Sequence, residues 1–303
     1  MKKFKIKSNY DGLELSGFYM EPKKEIKGII QISHGMAEHK ERYIPFMNYM
    51  ANAGFVSVIH DHRGHGESIK NKEDLGYFYD TKKMIVEDLH QVTLYIKDKY
   101  PKLPIILFGH SMGSMVVRAY LKDYDKDINA LIVCGSPSKN NGAKVALSLI
   151  KFMELFHKDT YRSKFINYLA FHNYNKDFES NSSNSWLTSD DVTVKEYDTD
   201  PLCGYIFTLN GFYNLFSLME DIYQEEGYQV KNSGLPILFL AGEKDPVIMN
   251  TSKWREAQEF LKKIGYQNIT NKLYPDMRHE LLNELNKEQV YEDILHFAQK
   301  SIS

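Results

Sequence analysis

Cysteine, charge of a single sign and long apolar runs are all scarce in this chain. Only Cys134 and Cys203 occur in 303 residues, which rules out a disulfide framework and fits a reducing compartment. A cytoplasmic location, at most peripheral to a membrane, is therefore expected, with both cysteines as packing residues. The 38 basic and 40 acidic side chains nearly cancel to a net charge of −2, and the lysines are scattered. No basic field for a phosphate backbone results, so nucleic acid is not an expected partner. No apolar run approaches the roughly 20 residues that cross a bilayer. Met1 to Lys7 starts basic but then alternates apolar with polar residues, which reads as a strand rather than a leader peptide.

What is present is an alternation of short apolar runs with helical patterns. Phe4 to Lys7 and Leu13 to Met20 flank Asp11-Gly12 and read as a hairpin at a sheet edge. Gly28 to Ser33, Phe55 to His60, Pro104 to Phe108, Ala130 to Cys134, Leu235 to Leu240 and Ile269 to Tyr274 read as parallel strands. Between the second and third of these, Ile85, Leu89, Val92 and Ile96 share one helix face. The fold class is α/β: a doubly wound, mostly parallel sheet with an antiparallel N-terminal edge. The alternation stops between about Pro137 and Tyr228, where aromatic helical patterns and the polar run 179–185 replace strands. The expected division is a core of residues 1–136 and 229–303 with a mainly helical cap, 137–228, inserted in it.

Chemistry concentrates at Gly109-His110-Ser111-Met112-Gly113, placed where the run ending at Phe108 should turn into a helix bearing Met112, Met115, Val116 and Tyr120. A G-x-S-x-G turn lifts the serine hydroxyl out of the sheet edge. The hydroxyl becomes a nucleophile only when an imidazole takes its proton and an acid orients the imidazole. Both partners belong on loops after later strands. Asp245 follows the run Leu235 to Leu240, and His279 follows Ile269 to Tyr274, giving the chain order Ser111, Asp245, His279. Glu243 competes for the acid and His296 for the base, but His296 lies in a terminal helical pattern away from any strand end, and Asp245 is preferred to Glu243. The oxyanion donors expected are the backbone N–H groups of Met112, after the nucleophile, and of Met36, in the His34-Gly35-Met36 turn.

The pieces His34-Gly35-Met36-Ala37-Glu38-His39 with Arg42-Tyr43, Asp61-His62-Arg63-Gly64-His65-Gly66-Glu67-Ser68, Gly109-His110-Ser111-Met112-Gly113, Asp245-Pro246 and His279-Glu280 together resemble the monoacylglycerol lipase and lysophospholipase branch of the α/β-hydrolases. The similarity runs over nearly the whole length. It implies the α/β-hydrolase fold, a triad of Ser111, Asp245 and His279, an oxyanion hole at Met36 and Met112, and no cofactor or metal. The implied substrate is an acyl ester or lipid. Serine aminopeptidase or amidase chemistry on the same fold, or ligand binding without turnover, stands as the alternative. The cap departs most from the better known lipases, although Asp200-Pro201-Leu202-Cys203-Gly204 resembles a bacterial cap signature.

Three imidazoles in His60-Asp61-His62-Arg63-Gly64-His65 invite a metal reading, but glycine stands where a metallohydrolase motif would have aspartate. The segment is expected to be a rigid hydrogen-bonded loop. Glu38 and His39 are expected to order the oxyanion turn, and His110 to be structural. The cap aromatics Phe152, Phe156, Phe165, Tyr168, Phe171, Phe207, Phe212, Tyr213 and Phe216 either pack the cap or line an acyl pocket. Transient membrane-surface contact is assigned to the cap.

Overall fold

The computed structural model describes residues 1–178 and 182–302. Eight strands form one sheet: β1 (Lys2–Lys7), β2 (Glu14–Met20), β3 (Gly28–Ser33), β4 (Phe55–His60), β5 (Ile105–His110), β6 (Ala130–Cys134), β7 (Ile237–Gly242) and β8 (Ile269–Tyr274). Their spatial order is β1-β2-β4-β3-β5-β6-β7-β8. β1 pairs antiparallel with β2 and β2 antiparallel with β4, while every other neighbour is parallel. The expected doubly wound sheet with an antiparallel N-terminal edge is what forms.

The parallel strands β3 to β7 are buried at every position, because helices cover both faces. Successive side chains of each strand point to opposite faces. Ile29, Ile105, Leu107 and Leu131 thus join the core under α2 (Lys82–Lys99), α3 (Met112–Tyr124) and α8 (Thr251–Lys263). Ile30, Ile106, Phe108 and Ile132 join the core under α1 (Ile44–Asn52) and α9 (Lys287–Ser301). The face of α2 read from the sequence, Ile85, Leu89, Val92 and Ile96, is buried along its length. β5 runs two residues past the expected end because Gly109 and His110 keep pairing with Val133 and Cys134. β7 starts at Ile237, since Pro236 has no N–H to give to a ladder.

Between β6 and β7 the described residues form helices and no strand: α4 (Gly142–Met153), α5 (Lys164–Phe171), α6 (Asp191–Thr199) and α7 (Leu209–Asp221). The expected loop 179–185 lies partly outside the described residues. Among those described, no helix is long and apolar enough to cross a membrane.

Candidate active site

Ser111 sits between β5 and α3 with φ 53° and ψ −118°, a conformation that costs a non-glycine residue on the order of 1–3 kcal/mol. The surroundings dictate it. A Cβ on Gly113 would stand 2.1 Å from the Ser33 carbonyl oxygen, and one on Gly109 would stand 2.4 Å from the Gly113 carbonyl oxygen. Both flanking positions need glycine so that α3 can close on β3 and β5. The Ser111 N–H donates to the Cys134 carbonyl at 3.0 Å, and the Ser114 hydroxyl donates to the Ser111 carbonyl at 2.5 Å.

His279 and Asp245 arrive on the loops after β8 and β7. Nδ1 of His279 lies 2.9 Å from Oδ2 of Asp245, and both residues are buried. A carboxylate only accepts, so Nδ1 carries the proton and Nε2 is left with its lone pair. The other carboxylate oxygen of Asp245 accepts the Val247 N–H at 2.8 Å. Ser111, His279, Met36 and Met112 all line one cavity of about 800 Å³. Among the described residues, no hydrogen bond joins the Ser111 hydroxyl to the His279 ring, and the N–H groups of Met36 and Met112 donate to no protein acceptor.

The Met36 turn is held from below. Oε1 of Glu38 accepts the Gly35 N–H at 2.5 Å and the Tyr43 hydroxyl at 2.9 Å. Arg42 donates to Glu38 at 2.8 Å and in a two-pronged pair to Glu280 at 2.7 and 2.6 Å. His110 lies 3.4 Å from Glu38 through Nδ1 and 3.2 Å from the His279 carbonyl oxygen through Nε2. Both partners are acceptors; burial opposes protonation of this ring, but the Glu38 contact raises its pKa above the usual imidazole value. Burial opposes ionisation of Glu38, but the His110 hydrogen bond and the Arg42 charge outweigh it and hold the carboxyl well below its usual range. The ordering of the turn expected of Glu38 is thereby explained.

His39 works on the other side of the turn. Its Nδ1 donates to Glu41 at 2.7 Å and its Nε2 to Asp200 at 2.9 Å. Burial opposes protonation, yet Cys203, Glu41 and Asp200 raise its pKa to about 11. The Ala37 carbonyl accepts the Gly204 N–H at 3.0 Å and the Tyr197 hydroxyl at 3.1 Å. The segment Asp200 to Gly204 thus latches onto the turn. The donor atoms of His39, Asp200 and Cys203 lie within 4.8 Å of one another, the one group of metal-ligating type found among the described residues. With both ring nitrogens donating to carboxylates, the group is an ionic latch and has no imidazole lone pair for a metal.

The His60 to His65 segment is a scaffold for the same turn. The His62 N–H donates to Nε2 of His34, whose Nδ1 donates to the Gly35 carbonyl. Asp61 accepts from the Lys40 N–H, the Lys40 ammonium and the Glu67 N–H. Arg63 donates to Asp88 at 2.7 Å. Burial pushes His60 and His65 down to about 3, so these rings are neutral.

A family described as serine aminopeptidase, S33, matches residues 24–286. The chain belongs to that family. Within the family's reach, the monoacylglycerol lipase of Mycolicibacterium smegmatis is 26% identical over 277 residues, spanning 90% of this chain and 88% of the relative. The monoglyceride lipase of Mus musculus is 31% identical over 151 residues, 48% of either chain. A solved carboxyl esterase from Bacillus coagulans, in complex with glycerol, superimposes with a TM-score of 0.92 at 26% identity and 100% coverage of both chains. The fold is the α/β-hydrolase fold, and this member of the family is an enzyme of the hydrolase class.

The aromatic alternatives divide. Tyr168, Phe171 and Phe216 line the cavity, Phe207 and Phe212 are core, Tyr213 packs against that core half-buried, and Phe152, Phe156 and Phe165 are exposed. Cys134 and Cys203 are both buried and unpaired. Two residues that the sequence reading passed over, Trp186 and Arg278, border His279. The one signal pointing to the first was that it is one of two tryptophans in the chain.

Proposed function

We infer that this enzyme is a serine ester hydrolase for acyl lipids, of the monoacylglycerol lipase, lysophospholipase or carboxylesterase type. The observation that carries the reading is the Asp245–His279 pair opening, with the strained Ser111 elbow, onto one cavity with an apolar wall of Ala146, Leu149, Leu215, Phe216 and Met219. Its similarity to monoacylglycerol lipases and a carboxyl esterase supports it. Each acyl methylene buried against that wall contributes about 0.8 kcal/mol to binding.

Ser111 Oγ attacks the ester carbonyl carbon while its proton passes to Nε2 of His279. The carbonyl oxygen becomes an oxyanion that accepts the Met36 and Met112 N–H groups. Asp245 keeps Nδ1 protonated and stabilises the imidazolium. Collapse breaks the ester bond, and His279 returns the proton to the departing alcohol. Water then gives a proton to Nε2 and attacks the acyl-enzyme; a second collapse releases the carboxylic acid and restores Ser111. No cofactor or metal takes part. Residues 1–136 and 229–303 supply the machinery, and 137–228 serves as the cap. The exposed apolar side chains of α4 and α5 suit transient contact with a membrane surface, and the unpaired cysteines suit a cytoplasmic setting.

The family's description raises the amide reading. An aminopeptidase needs a carboxylate for the substrate's terminal ammonium, and among the described lining residues the carboxylates are Glu38 and Glu280. Both are engaged by Arg42, which favours an ester without a cationic amine. Ser111→Ala should lower kcat on an aryl ester by on the order of a thousandfold or more and abolish fluorophosphonate labelling. A variant that retains wild-type turnover overturns the triad. A panel of acyl-chain esters against aminoacyl amides decides between the two substrate classes.

A further inference from the structure

A single hydrogen bond fixes the direction of a ring but not its plane. The His279 imidazole is tied to Asp245 along one axis, so contacts off that axis set its orientation, and two rings supply them: His110, with centroids 4.7 Å apart at 47°, and a ring from the opposite segment. That second ring is the indole of Trp186, which lies against His279 with ring centroids 5.0 Å apart at 39°. Tyr174 packs edge-on behind the indole at 5.0 Å, and the Asn175 side-chain oxygen accepts the backbone N–H of Trp186 at 3.0 Å.

The backbone on either side of these two rings is stitched together. Arg278, the residue before His279, donates to the carbonyls of Ser185 at 2.5 Å and Thr188 at 2.9 Å. The N–H of Glu280, the residue after it, donates to the Leu187 carbonyl at 2.6 Å. Glu284 closes the seam, accepting the Arg278 N–H at 2.6 Å through one oxygen and the Ser189 N–H and hydroxyl through the other. Ser185, Leu187, Thr188, His279, Glu280 and Glu284 are all buried, so water does not compete for these bonds.

From this geometry we propose that Trp186 is a positioning residue for the His279 ring, and that Ser185 to Ser189 belongs to the fixed catalytic frame and not to a movable roof. The proposal rests on the reading of His279 as the general base. It goes beyond that reading by giving a residue from the β6–β7 insertion a part in the chemical step. Any widening of the cavity must then leave this segment in place.

The test compares wild type, His279→Ala, Trp186→Ala and Trp186→Phe in fluorophosphonate labelling rate and in aryl-ester kinetics, with thermal unfolding confirming the fold of each. His279→Ala should abolish labelling. Trp186→Ala should slow both labelling and kcat by about 10- to 100-fold, the scale of a small misplacement of a catalytic group, with KM changed by less than about twofold. Trp186→Phe, which keeps a ring face, should recover most of the loss. Should Trp186→Ala not fold, Trp186→Leu replaces it, keeping apolar volume without a ring, and carries the same expectation. Wild-type labelling by Trp186→Ala beside a dead His279→Ala overturns the positioning role and leaves the base intact. Wild-type labelling by His279→Ala overturns both. A loss confined to KM, or a phenylalanine as impaired as the alanine, also overturns the role of the ring.

Discussion

The two halves of the stretch between β6 and β7 are built on opposite terms. In the first half, Val145 and Phe152 of α4, Leu155 and Phe156 in the turn after it, and Phe165, Tyr168 and Leu169 of α5 are exposed, with Leu155 74% and Phe156 71% exposed. Only Ala143 and Ile150 of α4, and Ile166 of α5, are buried. In the second half, Ser185 to Gly204 is tied to the His279 loop through Arg278, Glu280 and Glu284 and to the Met36 turn through Tyr197, Asp200 and Gly204. Large apolar side chains left in solvent mark a place for another apolar partner when they cluster, as Phe152 and Phe156 do with ring centroids 5.4 Å apart. Dense buried polar contacts mark a place held still. The stretch between β6 and β7 therefore combines an exposed apolar face with a buried polar brace on the loops that carry His279 and Met36.

That contrast can be broken from the rigid side first. Arg42→Met leaves Glu38 and Glu280 buried without their guanidinium, and urea unfolding should show a loss of about 3–5 kcal/mol; a loss below about 1 kcal/mol would mean that the brace is not electrostatic. The latch at His39 should give stability a pH dependence. Its pKa is raised to about 11 in the folded protein from about 6.5 in an unfolded chain. The stabilisation is complete below about pH 6.5 and fades as pH rises toward 11. His39→Gln should flatten that alkaline decline in unfolding free energy, and an unchanged slope would remove the latch from the account. Tyr197→Phe deletes one of two donors to the Ala37 carbonyl and should cost about 1 kcal/mol, measured the same way.

On the open side, Leu155→Ser and Phe156→Ser should each change stability by no more than about 0.5 kcal/mol while lowering retention on phosphatidylcholine vesicles. Equal retention by wild type and both variants would leave the exposed apolar face without a role at lipid surfaces.

Much of the scaffold was legible because strands covered on both faces are largely apolar. Gly28 to Ser33, Phe55 to His60 and Ala130 to Cys134 match β3, β4 and β6 residue for residue, and Ile269 to Tyr274 matches the half-exposed edge strand β8. β1 begins two residues early, at Lys2, since an exposed edge strand accepts lysines and Lys2 still pairs with Tyr19. The residues singled out by motif, Ser111, His279, Met36 and Met112, border one cavity, with Asp245 bonded behind His279. The brace was not legible. Arg278 and Ser185 are 93 residues apart, and Tyr197 and Ala37 are 160 apart. Contacts between irregular loops have no period, so no window of sequence displays them. The latch fared better, because Asp200 to Gly204 had stood out as a signature without a stated purpose.

The left-handed backbone at Ser111 has a consequence for the choice of residue there. Glycine would occupy that φ without penalty, so the most comfortable occupant of the elbow is one with no hydroxyl at all. Replacing Ser111 by glycine would relieve the strained φ and remove the hydroxyl together, so ease of folding alone does not account for serine at this position.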